Sequence, residues 1–183
     1  NGANNDFAVV RYNSNGTLDE TFDGIANGNG VVIVAIGTSD DEALGIVLQG
    51  DGKIVLAGQT YNGVNSDSAV VRLNTDGTFD NSFDGDGRLI VAIGPGTNNF
   101  RSVAVQADGR IILAGSASNG ANNDISVVRL LPSGTLDPTF DGDSGIGNGI
   151  LTTAIGAAND LGFVVANGPN NTILVAGYYF SGT

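Results

Sequence analysis

Oxygen-bearing side chains alternate around a glycine in one stretch of this sequence. Asn74, Asp76, Thr78 and Asp80 flank Gly77, and Asp84 and Asp86 follow closely. Calcium takes six to eight oxygen ligands, often from alternate positions of a Gly-containing loop. These six residues are therefore a candidate calcium site. The spacing recurs at Asn13, Asn15, Thr17, Asp19 and Asp23, and thins to Asp137, Asp141 and Asp143 further along. Neither of the fuller loops has the Glu that closes an EF-hand loop at its twelfth position. Asn, Asp, Gly and Thr are also the residues that tight turns require. The expectation is thus no cofactor and plain turn chemistry, with calcium as the alternative.

Arginine supplies a second pattern. Arg11, Arg72 and Arg129 each sit in an apolar run, with Asp6, Asp67 and Asp124 five residues upstream. A charge in a buried strand needs a partner, so three structural ion pairs are expected (Asp6–Arg11, Asp67–Arg72, Asp124–Arg129). An anion site is the alternative. Adjacent carboxylates occur at Asp40, Asp41 and Glu42, but glycosidases need two carboxyls at a set separation across a cleft, which neighbours in one turn do not supply. Aromatic residues cluster at Tyr178, Tyr179 and Phe180, with Tyr61 in a comparable place. Tyr61, Tyr178 and Tyr179 could stack on sugar rings or could pack between sheets.

Composition removes much other chemistry. The chain of 183 residues has no Cys and no His. There is accordingly no disulfide framework, no thiolate nucleophile, no Ser-His-Asp triad and no Cys- or His-ligated zinc. The expectation is a protein that is not an enzyme. Seven Lys and Arg stand against 19 Asp and Glu, for a net charge of −12. Such a charge repels phosphate backbones and anionic lipid headgroups, so neither nucleic acid nor a membrane is an expected partner. No apolar run reaches the ~18 residues of a membrane-spanning helix. The sequence starts at Asn1 and has no Met, which reads as a mature or excised piece of something longer.

The elements that position these residues are repeats. Phe22-Asp23-Gly24 returns as Phe83-Asp84-Gly85 and Phe140-Asp141-Gly142, at intervals of 61 and 57. Val10-Arg11 returns as Val71-Arg72 and Val128-Arg129, and Ala57-Gly58 as Ala114-Gly115 and Ala176-Gly177. The hexapeptide at 1–6 recurs letter for letter at 119–124. Each unit reads as four short Val- and Ile-rich strands. The first is Val31–Ile36, with Leu89–Ile93 and Ile150–Ile155 as its counterparts. The second is Ala43–Gln49, with Phe100–Gln106 and Leu161–Ala166. The third is Lys53–Ala57, with Arg110–Ala114 and Thr172–Ala176. The fourth is Phe7–Tyr12, with Ser68–Leu73 and Ile125–Leu130. Asp51-Gly52 and Asp108-Gly109 separate the second and third strands, a strong hairpin signal. No 3.6-residue period is sustained, so no helix is expected.

Tandem four-stranded units of about 60 residues predict an all-β fold, a β-propeller made of four-stranded antiparallel blades. A β-solenoid is the rival, with shorter rungs. Unit one covers about 6–61, unit two about 67–118 and unit three about 124–183. Residues 1–12 supply the fourth strand that would complete a terminal blade. Three blades are fewer than the 4 to 8 of ordinary rings. The expected partner is therefore the chain itself, as a dimer closing a ring, or neighbouring repeats of a longer array. A glycan or protein ligand is a further possibility.

The stretch from Asp67 to Gly115 resembles a known family. It runs Asp-x-x-Val-Val-Arg-Leu, Asn-x-Asp-Gly-Thr-x-Asp and Ser-Phe-Asp-Gly-Asp-Gly, and its later part is similar to Gln-x-Asp-Gly-Lys-Ile-x-x-Ala-Gly. This pattern is similar to the delta-60 repeat, and the likeness extends over almost the whole chain. The third unit departs from it at Asn167 to Asn171 and at Leu131-Pro132-Ser133-Gly134. The resemblance implies a bacterial β-propeller in large secreted or cell-surface proteins, with no catalytic residues. The functional expectation is a structural or adhesive module that mediates protein or self-association. A calcium-stabilised, lectin-like glycan binder is the alternative, and a carbohydrate-active enzyme fragment is the second.

Overall fold

A computed structural model describes residues 4–22, 29–140 and 147–181. The β-branched runs form twelve strands: β1 (Phe7–Val10), β2 (Val31–Val34), β3 (Asp41–Leu48), β4 (Ile54–Tyr61), β5 (Ser66–Leu73), β6 (Arg88–Val91), β7 (Asn98–Val105), β8 (Ile111–Ser118), β9 (Asn123–Leu130), β10 (Ile150–Thr153), β11 (Asp160–Asn167) and β12 (Ile173–Tyr179). Among the described residues, the one helical turn is a short 3-10 segment, Pro169–Asn171.

Among the described residues, pairing is antiparallel throughout, in four successive sheets. Two are complete, with orders β3-β4-β5-β6 and β7-β8-β9-β10. Two are halves, β1-β2 and β11-β12. The all-β propeller architecture is as the repeats predict, but the sheets cut across the repeat units. Unit one gives β1 and β2 to the first half-sheet and β3 and β4 to the first full sheet. The strand read as the first of each four, β6 or β10 in the full sheets, pairs as the outer strand of the sheet that holds the hairpin before it, as in Ala69 opposite Ile90. The hairpin strands also outrun their apolar cores. The second and third strands gain polar ends such as Asn98 and Ser118, because ladder hydrogen bonds continue past the buried segment.

Each sheet stacks on the next, and the core consists of the three joints between them. Phe7, Val9, Phe22, Val32 and Val34 of the first half-sheet pack against Ile54, Leu56, Val71 and Leu73. Val55, Val70, Phe83 and Val91 pack against Ile111, Leu113, Val128 and Leu130 in the central joint. Ile112, Ala114 and Val127 meet Val165, Ile173 and Val175 in the last. Residues Ile54–Ala57 and Ile111–Ala117 are buried on both faces, as strands between two neighbouring sheets must be.

A bulge fixes the register of three of the four sheets, all but β1-β2. It falls between Ala43 and Gly45, Phe100 and Ser102, and Gly162 and Val164. Opposite it stand Gly58, Gly115 and Gly177, where a Cβ would lie 1.9, 1.9 and 1.8 Å from the carbonyl oxygens of Glu42, Asn99 and Leu161. The extra residue of the bulge pushes that carbonyl onto the facing strand, and only glycine leaves room. The Ala-Gly landmark of the sequence is the mark of this close approach.

Candidate functional site

The Asn/Asp/Thr loops are the turns that follow β1, β5 and β9. Asn74 N–H donates to Thr78 O and Gly77 N–H to Asn74 O, with equivalents at Asn13–Thr17 and Leu131–Thr135. Asp76 Oδ1 accepts from Thr78 N–H at 3.0 Å and from Thr78 Oγ1 at 2.7 Å. Asn74 Nδ2 donates to Thr78 Oγ1 and to Phe79 O. Asp86 Oδ1 accepts from Arg88 N–H at 2.9 Å. Asp84 adopts a φ of 50°, and its N–H donates to Ser133 O in the next repeat. The six residues Asn74, Asp76, Thr78, Asp80, Asp84 and Asp86 thus lie along one turn and its return. Among the described residues, no three acidic groups converge on a point that could hold a metal. Asp23, Asp141 and Asp143 lie outside the described residues.

Asp80 belongs to a different device. The chain leaves β5, turns, and bridges back at Leu73–Phe79, which sets Asp80 beside Arg72. Arg72 Nε donates to Asp80 Oδ2 at 2.6 Å with both side chains buried, and Lys53 Nζ lies 2.9 Å from the same oxygen. Asp80 Oδ1 accepts from Ser82 N–H and Oγ. Burial pushes this carboxyl upward, but the bonds from Ser82 and Lys53 and the Arg72 charge outweigh it, holding Asp80 well below the usual carboxylate range. The arrangement repeats as Arg11–Asp19 and Arg129–Asp137, each at 2.8 Å. Arg110 stands in for Lys53 beside Asp137, also at 2.8 Å. Burial likewise raises Asp137, and the bonds from Thr139 and Arg110 with the Arg129 charge more than reverse it.

This corrects the expected pairing. Arg72 does not pair with Asp67, nor Arg129 with Asp124, and the partner of Arg11 is Asp19. Five residues along a strand is an odd step of roughly 16 Å, which puts the two side chains on opposite faces. Asp67 and Asp124 instead accept from Asn62 Nδ2 and Asn119 Nδ2 at the hairpin loops. The true partners lie eight residues downstream, across the turn. The signal for them was the Asp that ends each turn before Thr21, Ser82 or Thr139.

Each arginine also reaches out of its sheet. Its guanidinium lies over the phenylalanine of its own repeat, with Arg11 over Phe22, Arg72 over Phe83 and Arg129 over Phe140, 4.5–4.7 Å from the ring centroids. Such stacking on a desolvated ring is favourable. Arg11 Nη1 donates to Thr75 O and Arg72 Nη1 to Pro132 O, carbonyls in the turn of the following repeat. The ion pair therefore stitches one sheet to the next.

The aromatic candidates do not form one surface. Tyr61 ends β4 and lines a cleft with Asn5, Asp40, Asp41, Glu42 and Gln59. Tyr178 and Tyr179 end β12, two sheets away, and the Tyr178 ring tilts against Phe163 at 5.5 Å. All three tyrosines are exposed. Asp41 is buried and accepts through Oδ2 from Ile36 and Gly37 N–H, so its carboxylate holds the loop between β2 and β3.

Stacked four-stranded antiparallel sheets joined by a repeated Arg–Asp–Phe stitch define a segment of a β-propeller. The particular family follows from comparison. Residues 1–22, 49–83 and 106–140, together half of the chain, match the family described as "Domain of unknown function (DUF5122) beta-propeller", and the chain belongs to that family. Two of the matched segments run from the β3–β4 or β7–β8 hairpin turn to the stacked phenylalanine of the stitch. No curated protein matches the chain.

Proposed function

We propose that this chain is a non-enzymatic structural and adhesive propeller module of a secreted or cell-surface protein, working by association with protein, including further copies of its own repeat. The observation that carries this reading is at the two half-sheets. Among the described residues, β1 pairs only with β2 and β12 only with β11. Each thus presents a row of backbone donors and acceptors and an apolar face, a template for another strand. The titratable groups that depart from ordinary behaviour are engaged in ion pairs and turn hydrogen bonds, which is structural work. The likeness of the motif to delta-60 repeats supports a secreted or surface setting, and the acidic charge supports solubility there.

The test is amide hydrogen exchange on β1 and β12, followed against protein concentration. Association predicts that these edge amides become protected as concentration rises. Free-edge exchange at every concentration, with and without added cell-surface protein, would sink the reading.

A further inference from the structure

Resting on the reading of this chain as a protein-binding module, we infer that the mouth of the central joint is a recognition site for a carboxamide side chain. The occupant is an Asn or Gln on a loop of the partner protein.

Two joints can be compared at the end where the hairpin tips lie. The tips align through a shared backbone bond: Gln49 N–H to Lys53 O, Gln106 N–H to Arg110 O and Gly168 N–H to Thr172 O. Leu48, Val105 and Asn167 therefore hold one position, and Gly52, Gly109 and Asn171 another. In the last joint the tips are laced together. Asn167 Nδ2 donates to Val105 O at 2.8 Å, and Gln106 Nε2 lies 3.5 Å from Asn171 O. In the central joint neither link is made among the described residues. Val105 stands where Asn167 stands and has no side-chain donor for Leu48 O. Gln49, at the position of Gln106, reaches no carbonyl of the facing tip, and its Oε1 is buried without a hydrogen-bond partner.

A cleft of about 610 Å³ opens between these two tips, with Leu48, Gln49, Val105 and Pro132 in its lining. That is the size of an ordinary ligand pocket. Both sheets that wall it have all four strands, so the cleft owes nothing to either half-sheet. Its charges are already matched. Lys53 lies between Asp51 and Asp80, Arg72 is paired with Asp80, and Asp108 with Arg110. The groups left over are neutral: the Leu48 carbonyl and the Gln49 carboxamide. A buried polar atom without a partner is costly and calls for an occupant. The occupant that answers both groups is neutral and carries a donor beside an acceptor. A carboxamide meets that description, and Asn167 shows that one fits against the carbonyl at this position. Val105 and the Pro132 ring give its methylene an apolar wall. A carboxylate of the same shape lacks the donor, and Asp51 and Asp108 would repel it.

The experiment titrates small probes into the isotope-labelled chain and follows its amide shifts. The probes are the blocked peptides Gly-Asn-Gly and Gly-Asp-Gly, with N-acetylglucosamine as a sugar that also carries an amide. The expected result is saturable shifts from the Asn peptide at Gln49, Asp51, Gly52, Asp108 and Gly109, and none from the Asp peptide. Gln49→Leu should weaken binding about tenfold, because it strips the ligand of its partner. It should not lower the melting temperature, since it removes an unpaired buried oxygen. Gln59→Leu, near the other end of β4, should leave binding unchanged. No shift from the Asn peptide, equal binding of the Asp peptide, or binding that survives Gln49→Leu would each overturn the inference. Shifts from N-acetylglucosamine alone would give the cleft to a glycan and overturn it too. A silent cleft beside β1 and β12 amides that gain protection would sink this site and leave the association reading intact. Asn-peptide binding beside freely exchanging edges would support the site and sink only the edge-based reading.

Discussion

The joint between the two complete sheets and the surfaces of the two half-sheets are built from the same letters in different company. Val128 and Leu130 in β9 are fully buried in that joint, while Val10 in β1 and Tyr12 just after it occupy the same repeat positions and face solvent. Arg72 and Asp80 form a buried pair, while Arg11 and Asp19 form the same pair half in water. Burial here belongs to the neighbour, not to the residue. That is the nearest-neighbour logic of repeat proteins, in which each unit is stabilised by the one stacked on it. A repeat position thus has no fixed energetic weight, and the contrast between centre and end can be measured directly.

The largest expected contrast is at the arginines. Arg72→Ala leaves Asp80 buried with only Lys53 as counter-charge, and should cost about 3–5 kcal/mol. Arg11→Ala removes a pair that water already screens, and should cost far less. Urea unfolding of both variants measures the difference. Equal losses would show that the stitch works equally well without burial. The next contrast is between Ile112 and Leu174, which share a repeat position. Ile112→Ala empties a fully buried site and should cost about 2–5 kcal/mol. Leu174→Ala, in chain kept dilute enough to be monomeric, should stay within about 0.5 kcal/mol. A large loss at Leu174 under those conditions would mean that something already covers the last half-sheet.

A smaller effect should appear with acid. The Asp80 and Asp137 carboxyls titrate below the usual range in the folded chain. The unfolded chain therefore takes up protons first as pH falls. The stability these groups contribute is fully present above the ordinary Asp pKa of about 3.9 and is lost progressively below it. Unfolding free energy measured from neutral pH downward should fall in that window. Asp80→Asn should flatten the acid limb. An acid limb unchanged by that substitution would show that other carboxylates set it.

Strand order and the all-β class were legible because the β-branched runs, the Asp-Gly hairpins and the 57- to 61-residue spacing all act locally. The Ala-Gly landmark was visible as a repeat but not as a reason. The reason is a facing carbonyl thrust forward by a bulge, which no local pattern reveals. The ion pairs were half legible. The need of a buried arginine for a carboxylate follows from desolvation, but the partner depends on how the turn folds back, and an upstream aspartate was the wrong choice by strand parity. The roles of Lys53 and Arg110 were hidden because they reach across a sheet to Asp80 and Asp137 from a strand far off in sequence. Sheet boundaries were hidden for a related reason. The strand read as the first of each four (β2, β6 and β10) pairs backward, and strand composition carries no trace of that choice.

The smallest contrast concerns the turns and decides between hydrogen bonding and a bound ion. The turn after β5 has Asp76 where the turn after β9 has Ser133, yet both close through the same pair of backbone bonds, Asn74–Thr78 with Gly77–Asn74 and Leu131–Thr135 with Gly134–Leu131. Ser133 Oγ lies 2.9 Å from Thr135 Oγ1, in the place where Asp76 Oδ1 meets Thr78 Oγ1. The third turn therefore keeps its shape without a carboxylate, which argues that the shape needs no cation. Asp76→Ser should change stability by no more than about 0.5 kcal/mol, as for an ordinary surface substitution. The melting temperatures of the parent and this variant should also stay level with each other in calcium and in chelator. If calcium raises the melting temperature of the parent alone, the alternating oxygens from Asn74 to Asp80 bind the ion. The two turns would then differ in chemistry while sharing a backbone.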